Sequence, residues 1–104
     1  MRDQLKSRQC SKYLKALSDP ERLLIVQCLQ SGALTVGEIA QQVGSPIANV
    51  SHHLKQLRIA GLIAGKKKGR WVIYSLAGKV FNPQSASPLN VLDFGCCRLE
   101  LGEK

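Results

Sequence analysis

The sequence predicts a mainly α-helical domain with a small β-hairpin and an irregular or extended C-terminal arm. Three observations support this fold class. Two helical patterns precede residue 30, a short one and a longer one flank a glycine turn at Gly44, and two β-rich runs lie between residues 62 and 76. The order α-α-α-α-β-β, with a tight turn between the last two helices, is that of a winged helix-turn-helix.

The first two helices are predicted by apolar residues at helical spacing. The first is expected from about Leu5 to Leu17, and the second after Asp19, an N-cap residue that Pro20 follows in the first turn. The apolar positions expected to pack are Cys10, Tyr13, Leu14 and Leu17 in the first helix, and Leu23, Leu24, Ile25, Val26, Cys28 and Leu29 in the second. We therefore expect the second helix to lie between the first helix and the rest of the domain.

A capping box marks the start of the third helix. The Thr35 hydroxyl and the Glu38 carboxylate are spaced so that each can accept a hydrogen bond from the other residue's backbone N–H. The apolar face that follows consists of Val36, Ile39, Ala40 and Val43. Gly44 then supplies the turn into the next helix.

The fourth helix is expected to have Ser45 as its N-cap and Pro46 as its first helical residue. Its apolar positions, spaced to share one buried face, are Ile47, Val50, Leu54 and Leu57. The opposite face carries small and hydrogen-bonding side chains, namely Ala48, Asn49, His52, Lys55 and Gln56. This arrangement is typical of a helix that enters the major groove of DNA and meets base edges with its N-terminal residues.

The two β-rich runs predict a hairpin with a basic tip. Residues 62–66 and 70–76 are expected to be strands, and residues 67–69 the connection. Four positive charges fall within five residues here, at Lys66, Lys67, Lys68 and Arg70. A hairpin of this kind beside a recognition helix is a wing, placed to reach a phosphate backbone or a minor groove.

Charge and length agree with a nucleic-acid partner. The 104-residue chain has 15 Lys and Arg against 7 Asp and Glu, a formal net charge of +8, which favours a polyanion. A chain of this length is expected to form one compact unit. We predict a DNA-binding domain over residues 1–78 and an arm for dimerisation or sensing over residues 79–104.

The amino terminus begins with polar residues, and no segment has the length and apolarity of a membrane span. We therefore expect a cytoplasmic protein with no membrane partner. In that compartment the four cysteines are expected to be reduced, so packing, metal binding or redox sensing explains them better than disulfide scaffolding.

Four motifs, in order and at family spacing, resemble the ArsR/SmtB (arsenic-repressor) family of winged-helix regulators. They are LSDPERL at 17–23, TVGEIA at 35–40, VSHHL at 50–54 and RIAGLI at 58–63, and the similarity covers about residues 8 to 77. The resemblance implies a homodimer that binds a palindromic operator in double-stranded DNA, represses transcription and is released by an effector. Within the family the effector varies from arsenite and zinc-like ions to persulfides, and some members have no known ligand.

The resemblance also helps to assign roles on the fourth helix. Ser51 and His52 fall on the Ser-His pair that the family uses near bases and phosphates, whereas Ile47 and Ala48 fall where other members often carry Gln and Ser. Asn49 can pair with adenine, and Lys55 with guanine or a phosphate. The full set of candidate DNA-binding residues is Ser45, Ala48, Asn49, Ser51, His52, Lys55, Lys66, Lys67, Lys68 and Arg70. His53, at the edge of the apolar stripe, is expected to pack or to contact a phosphate rather than to bind a metal.

The cysteines can be interpreted as ligands of an effector or as packing residues. The Cys-Val-Cys pattern of the family's third-helix arsenite site is replaced here by Thr-Val-Gly at 35–37, and Cys28 is expected in the core. Cys96 and Cys97 are adjacent, and with Cys10 they suit a soft trigonal ion such as arsenite if the first helix packs on the arm. The candidate metal ligands are therefore Cys10, Cys96 and Cys97, with structural packing as the alternative.

Other classes of function remain as alternatives. The sequence has no assembled catalytic motif and no glycine-rich phosphate loop, so we expect no enzyme. A winged-helix protein-docking module, or a DNA-binding regulator that responds to no effector, fits the same helices. The C-terminal segment departs from the family, because prolines at 83 and 88 disfavour the long dimerising fifth helix that most members place there. Residues 91–101 are expected to form a short strand or an extended arm.

Overall fold

A computed structural model describes residues 2–78, 91–94 and 97–100, with side chains described from Ser7 onward. The four helices and the two strands of the wing occur in the predicted order, with an additional strand between the second and third helices. The elements are α1 (Arg2–Ala16), α2 (Pro20–Leu29), β1 (Leu34–Thr35), α3 (Val36–Val43), α4 (Ile47–Ile59), β2 (Ile63–Lys68), β3 (Trp71–Leu76), β4 (Val91–Asp93) and β5 (Arg98–Glu100). The winged helix-turn-helix prediction is thus confirmed, with two strands in the C-terminal arm.

The starts of α2 and α3 follow the predicted caps. The Asp19 carboxylate accepts hydrogen bonds from the backbone N–H groups of Glu21 and Arg22, at 2.8 and 3.1 Å. At α3, the Thr35 hydroxyl accepts from the Glu38 N–H at 3.3 Å, and the Glu38 carboxylate accepts from the Thr35 N–H at 2.9 Å. Each cap satisfies N–H groups that have no partner inside the helix, so both starts are fixed locally.

A three-stranded antiparallel sheet supports the wing. Its order is β1-β3-β2, with Leu34 opposite Tyr74 and Ile63 opposite Leu76. The sequence did not predict β1, because two residues are too few to show strand alternation. By joining the start of α3 to β3, this short strand fixes the wing relative to the helix-turn-helix.

The core is formed by one face of each helix together with the base of the wing. Its most deeply buried side chains are Ile25, Val26, Ile39, Val50, Leu54, Leu57, Leu62 and Leu92. Two positions assigned to packed faces lie outside it, because Leu14 is 44% exposed and Leu24 is 47% exposed. Cys28 is half-buried rather than fully buried.

The C-terminal strands pack onto the helices. β4 and β5 form an antiparallel pair, and Leu92 and Phe94 belong to the same core cluster as the helices. The Phe94 ring lies 5.8 Å from the ring of Tyr13 on α1, and the Gln30 side-chain amide donates to the Val91 carbonyl at 2.8 Å. Residues 79–90 lie outside the described residues, so the predicted boundary at residue 78 stays a prediction. None of the described helices is long and apolar enough to cross a membrane.

Candidate nucleic-acid interface

One face of α4 is turned to solvent and the other is buried. Val50, Leu54 and Leu57 are at most 1% exposed and hold the helix against α2 and α3. The exposed side chains on the remaining surface include Ala48, Asn49, Ser51, His52, Lys55 and Gln56. An amide, a hydroxyl, an imidazole and an ammonium group therefore line one accessible surface of a rigid helix.

The start of α4 differs from the prediction. The helix begins at Ile47, Pro46 is its N-cap residue, and no side chain caps this end. Ser45 does not serve as the cap because it completes the end of α3. There Gly44 adopts a left-handed conformation with φ 72°, and the N–H groups of Gly44 and Ser45 both donate to the Ala40 carbonyl, at 2.9 and 3.2 Å.

Ile47 also departs from its predicted place. It was assigned to the buried face, but its side chain is 55% exposed. The reason is its position at the first residue of the helix, beyond the reach of the core beneath Val50. Helical spacing predicts the direction of a side chain but not whether the core extends that far.

His53 joins the recognition helix to the start of α2. Its side chain is 15% exposed, its Nε2 lies 3.9 Å from carboxylate oxygens of Asp19 and Glu21, and its Nδ1 lies 3.3 Å from the Arg22 guanidinium. Since arginine only donates, Nδ1 accepts from Arg22, and Nε2 faces the carboxylates. Arg22 also donates from Nε to the Ala16 carbonyl at the end of α1. The packing role predicted for His53 fits this arrangement.

Asp19 belongs both to the cap of α2 and to this cluster. The backbone N–H of Arg22 is the main cause that lowers the pKa of its carboxyl group, and the Glu21 N–H and the nearby His53 and Arg22 side chains add to the effect. Partial burial opposes these contributions. Asp19 is therefore held as a carboxylate that both caps α2 and faces the imidazole.

The wing turns more tightly than predicted. Lys67 and Lys68 lie within β2 rather than in the connection, which consists of Gly69 and Arg70, with Gly69 at φ 63°. The basic residues at positions 66, 67, 68 and 70 are all exposed. Because strand side chains alternate, Lys67 points to the face opposite Lys66 and Lys68, so both faces of the wing carry positive charge.

Comparisons with known proteins agree with this geometry. A family model described as "Helix-turn-helix domain" matches residues 17–65. The regulator NmtR of Mycobacterium tuberculosis is 39% identical over 74 residues, which are 71% of this chain and 62% of NmtR. The transcriptional repressor SdpR of Bacillus subtilis is 36% identical over 85 residues, which are 82% of this chain and 94% of SdpR.

Solved structures match as well. Reduced HlyU from Vibrio cholerae has a TM-score of 0.68 at 31% identity, over 71% of this chain and 78% of HlyU. A homodimeric winged helix-turn-helix DNA-binding domain from Mycobacterium bovis has a TM-score of 0.67 at 30% identity, over 74% of this chain and 71% of that one. The chain belongs to the ArsR/SmtB family. It is a DNA-binding transcriptional regulator with the winged-helix fold of that family.

The cysteines of this ArsR/SmtB protein are in different states. Cys10 is disulfide-bonded, so the expectation that all four thiols are reduced is not met at that position. Burial raises the pKa of the Cys28 thiol, which is free, and burial together with Asp93 raises the pKa of Cys97. Cys96 lies outside the described residues, and among the described ones no three His, Cys, Asp or Glu side chains form a metal-binding cluster. The predicted trio of metal ligands stays a prediction.

Sequence reasoning missed two exposed side chains at this interface of the ArsR/SmtB protein. Ile47 was assigned to the core, and Trp71, which is 62% exposed at the tip of the wing beside Arg70, was given no role. The run from Trp71 to Leu76 is apolar on both strand faces, so alternation gave no signal for which face is solvated.

Proposed function

We propose that this chain is a homodimeric transcriptional repressor, rather than an enzyme, that binds a palindromic operator in the cytoplasm and is released by an effector. The observation that carries the proposal is the exposed hydrogen-bonding face of α4 beside the exposed basic wing. A recognition helix supplies base contacts, and basic side chains supply phosphate contacts, which together give specific and salt-dependent binding.

Each candidate residue receives a role from its chemistry. Asn49 pairs with adenine, while Lys55 contacts guanine or a phosphate. His52 lies near base edges, and Ser51 contacts the backbone. Ser45 and the wing residues Lys66, Lys67, Lys68 and Arg70 contact phosphates, and Ala48 lies against the groove floor.

The homodimer has support from two sides. Leu14 on α1 and Leu24 on α2 expose apolar side chains, at 44% and 47%, that a second copy can cover. The related Mycobacterium bovis domain is homodimeric. A two-fold dimer requires a palindromic site with half-sites about one or two helical turns apart.

For release, we favour a signal received by cysteines. Cys10 already pairs with another sulfur in a disulfide, and Cys97 packs against the hydrophobic core to which Tyr13 of α1 belongs. Once reduced, Cys10, Cys96 and Cys97 offer the three thiolates that arsenite prefers. Replacing both Cys96 and Cys97 by serine is expected to abolish release by arsenite without weakening DNA binding. Unchanged release in that variant would place the sensor elsewhere.

The first test is fluorescence anisotropy of the reduced protein on a labelled duplex from the upstream region of its gene. A scrambled duplex and a duplex RNA of the same sequence are the controls. We expect preference for the specific DNA and a steep fall in affinity with salt. A protein-docking module would instead bind all three weakly, with little salt dependence, and that outcome would overturn the proposal.

A further inference from the structure

The first turn of α4 presents apolar side chains where a recognition helix meets DNA. Ile47 is 55% exposed, and its neighbour Ala48 is exposed as well. Single exposed apolar residues are common on protein surfaces, so exposure alone decides nothing. The position is informative, because the N-terminal residues of the second helix in a helix-turn-helix are those that contact base edges.

Ser51 is a neighbour of Ile47 on the surface of α4. At about 100° per residue, Ser51 lies about 40° from Ile47 around the helix axis and one turn further along. Ala48 and Asn49 follow Ile47 directly, and all four side chains are exposed. A duplex that reaches the Ser51 hydroxyl therefore also meets the Ile47 side chain, whereas Asn49 lies about 160° away around the helix axis and reaches a different part of the groove.

The chemistry of the major groove offers one apolar partner. Base edges there present hydrogen-bond donors and acceptors, with the exception of the C5-methyl group of thymine, which apolar side chains recognise. Asn49, two residues further along α4, has the amide that pairs with adenine N6 and N7. The two chemistries together select A·T pairs, one through the adenine edge and one through the thymine methyl.

We propose that Ile47, assisted by Ala48, determines specificity by contacting thymine methyl groups in the operator half-site. The inference rests on the proposed function, because it requires that α4 bind the major groove. The inference adds the thymine methyl group to the base features that α4 recognises. Ile47 and Ala48, the first two residues of α4, recognise this methyl instead of forming hydrogen bonds to bases.

The test removes only the methyl group. Duplexes selected from a randomised library by the full-length protein are resynthesised with deoxyuridine in place of each thymine, one at a time. Loss of one buried methyl is expected to weaken binding about fourfold at one or two thymines of each half-site. The same substitutions are then measured with Ile47→Ala, whose dissociation constant should no longer respond to deoxyuridine at those positions.

Ile59→Ala is the matched control. Ile59 lies at the other end of α4 and is 64% exposed, so truncation removes the same atoms from a comparable environment. This variant is expected to keep the full response to deoxyuridine. Thermal unfolding of both variants, measured beside the parent protein, shows that neither change disrupts the fold.

The outcomes separate the inference from the function. If the library yields no duplex that binds above random DNA, the proposed function fails. If specific duplexes are obtained but no thymine responds to deoxyuridine, or Ile47→Ala keeps the parental response, the methyl contact is overturned while DNA binding stands.

Discussion

The polar side chains of α4 have two roles: one packs against a neighbouring helix, and others face solvent. His53 is directed to Asp19, Glu21 and Arg22 at the start of α2, where it positions the helix. Asn49 and His52 are directed to solvent. Adjacent histidines point about 100° apart on a helix, so one packs while the other stays accessible.

We predict that Asn49→Ala and Lys67→Ala weaken DNA binding in different ways. Removing the amide should cost about 1–3 kcal/mol on the specific duplex and relax base preference, because the base contact is lost. Removing the ammonium group should weaken all duplexes alike and reduce the salt slope by about one. Anisotropy titrations on specific and random DNA at several salt concentrations measure both, and equal effects from the two variants would contradict these roles.

A second residue-scale prediction concerns pH. Because the pKa of Asp19 is lower in the folded protein, the carboxylate stabilises the fold at pH values above its unfolded pKa of about 4. This contribution is lost as the pH falls through that range to the folded pKa. Asp19→Asn keeps the cap but removes the charge, so its deficit in unfolding free energy should shrink as the pH is lowered. Urea unfolding at pH about 7, 5 and 3 measures it. A deficit that stays constant with pH would mean that the charge contributes nothing.

At the scale of elements, the turn between α3 and α4 sets the direction of the recognition helix. Gly44 has φ 72°, and its N–H closes α3 by donating to the Ala40 carbonyl at 2.9 Å. Glycine adopts this left-handed conformation without steric cost. The turn therefore depends on backbone conformation rather than on side-chain contacts.

We predict that Gly44→Ala lowers the free energy of unfolding by about 1–2 kcal/mol. A Cβ at this position meets nothing within 4 Å, so the loss should come from backbone strain alone. Asn tolerates the left-handed region better, so Gly44→Asn is expected to lose less. Chemical denaturation of the three proteins gives the order, and equal losses for the two variants would argue against backbone strain as the cause.

At the scale of the whole molecule, the C-terminal strands complete the hydrophobic core. Phe94 is 4% exposed and packs near Tyr13, so the C-terminal arm contacts α1. The basic wing and the exposed face of α4 are formed by residues other than those of this contact.

Phe94→Ala tests the role of the arm in stability. The variant should lose about 3–5 kcal/mol of unfolding free energy, as for other buried phenylalanines. Arg98→Ala, an exposed change on β5, is the control and should stay within about 0.5 kcal/mol of the parent. A loss from Phe94→Ala no larger than that of the control would show that the strands contribute little to the fold.

The dimer gives a further prediction at this scale. Leu14→Glu places a charge on the exposed apolar side of α1, where burial against a second copy would leave it without water. We expect the variant to sediment as a monomer at concentrations at which the parent is a dimer. Gln41→Glu adds the same charge at an exposed polar position and should leave the dimer intact. An unchanged dimer in Leu14→Glu would place the interface elsewhere.

Local signals in the sequence determined much of this protein. The Asp19 cap and the Thr35–Glu38 capping box act within one turn of helix, so their geometry follows from neighbouring residues alone. Most of the buried faces of α3 and α4, the turn at Gly44 and the basic wing were likewise predicted from spacing and composition. These features were sufficient for the winged-helix fold and for most of the exposed residues on α4.

Only the tertiary structure decided where the core ends and which distant groups meet. Ile47 fits the apolar period but lies beyond the core, and Ser45 completes α3 instead of capping α4. The partners of His53 are 31 or more residues away along the chain, and β1 exists only because β3 lies beside it. Such contacts depend on the packing of whole elements, which periodicity along a single helix or strand does not encode.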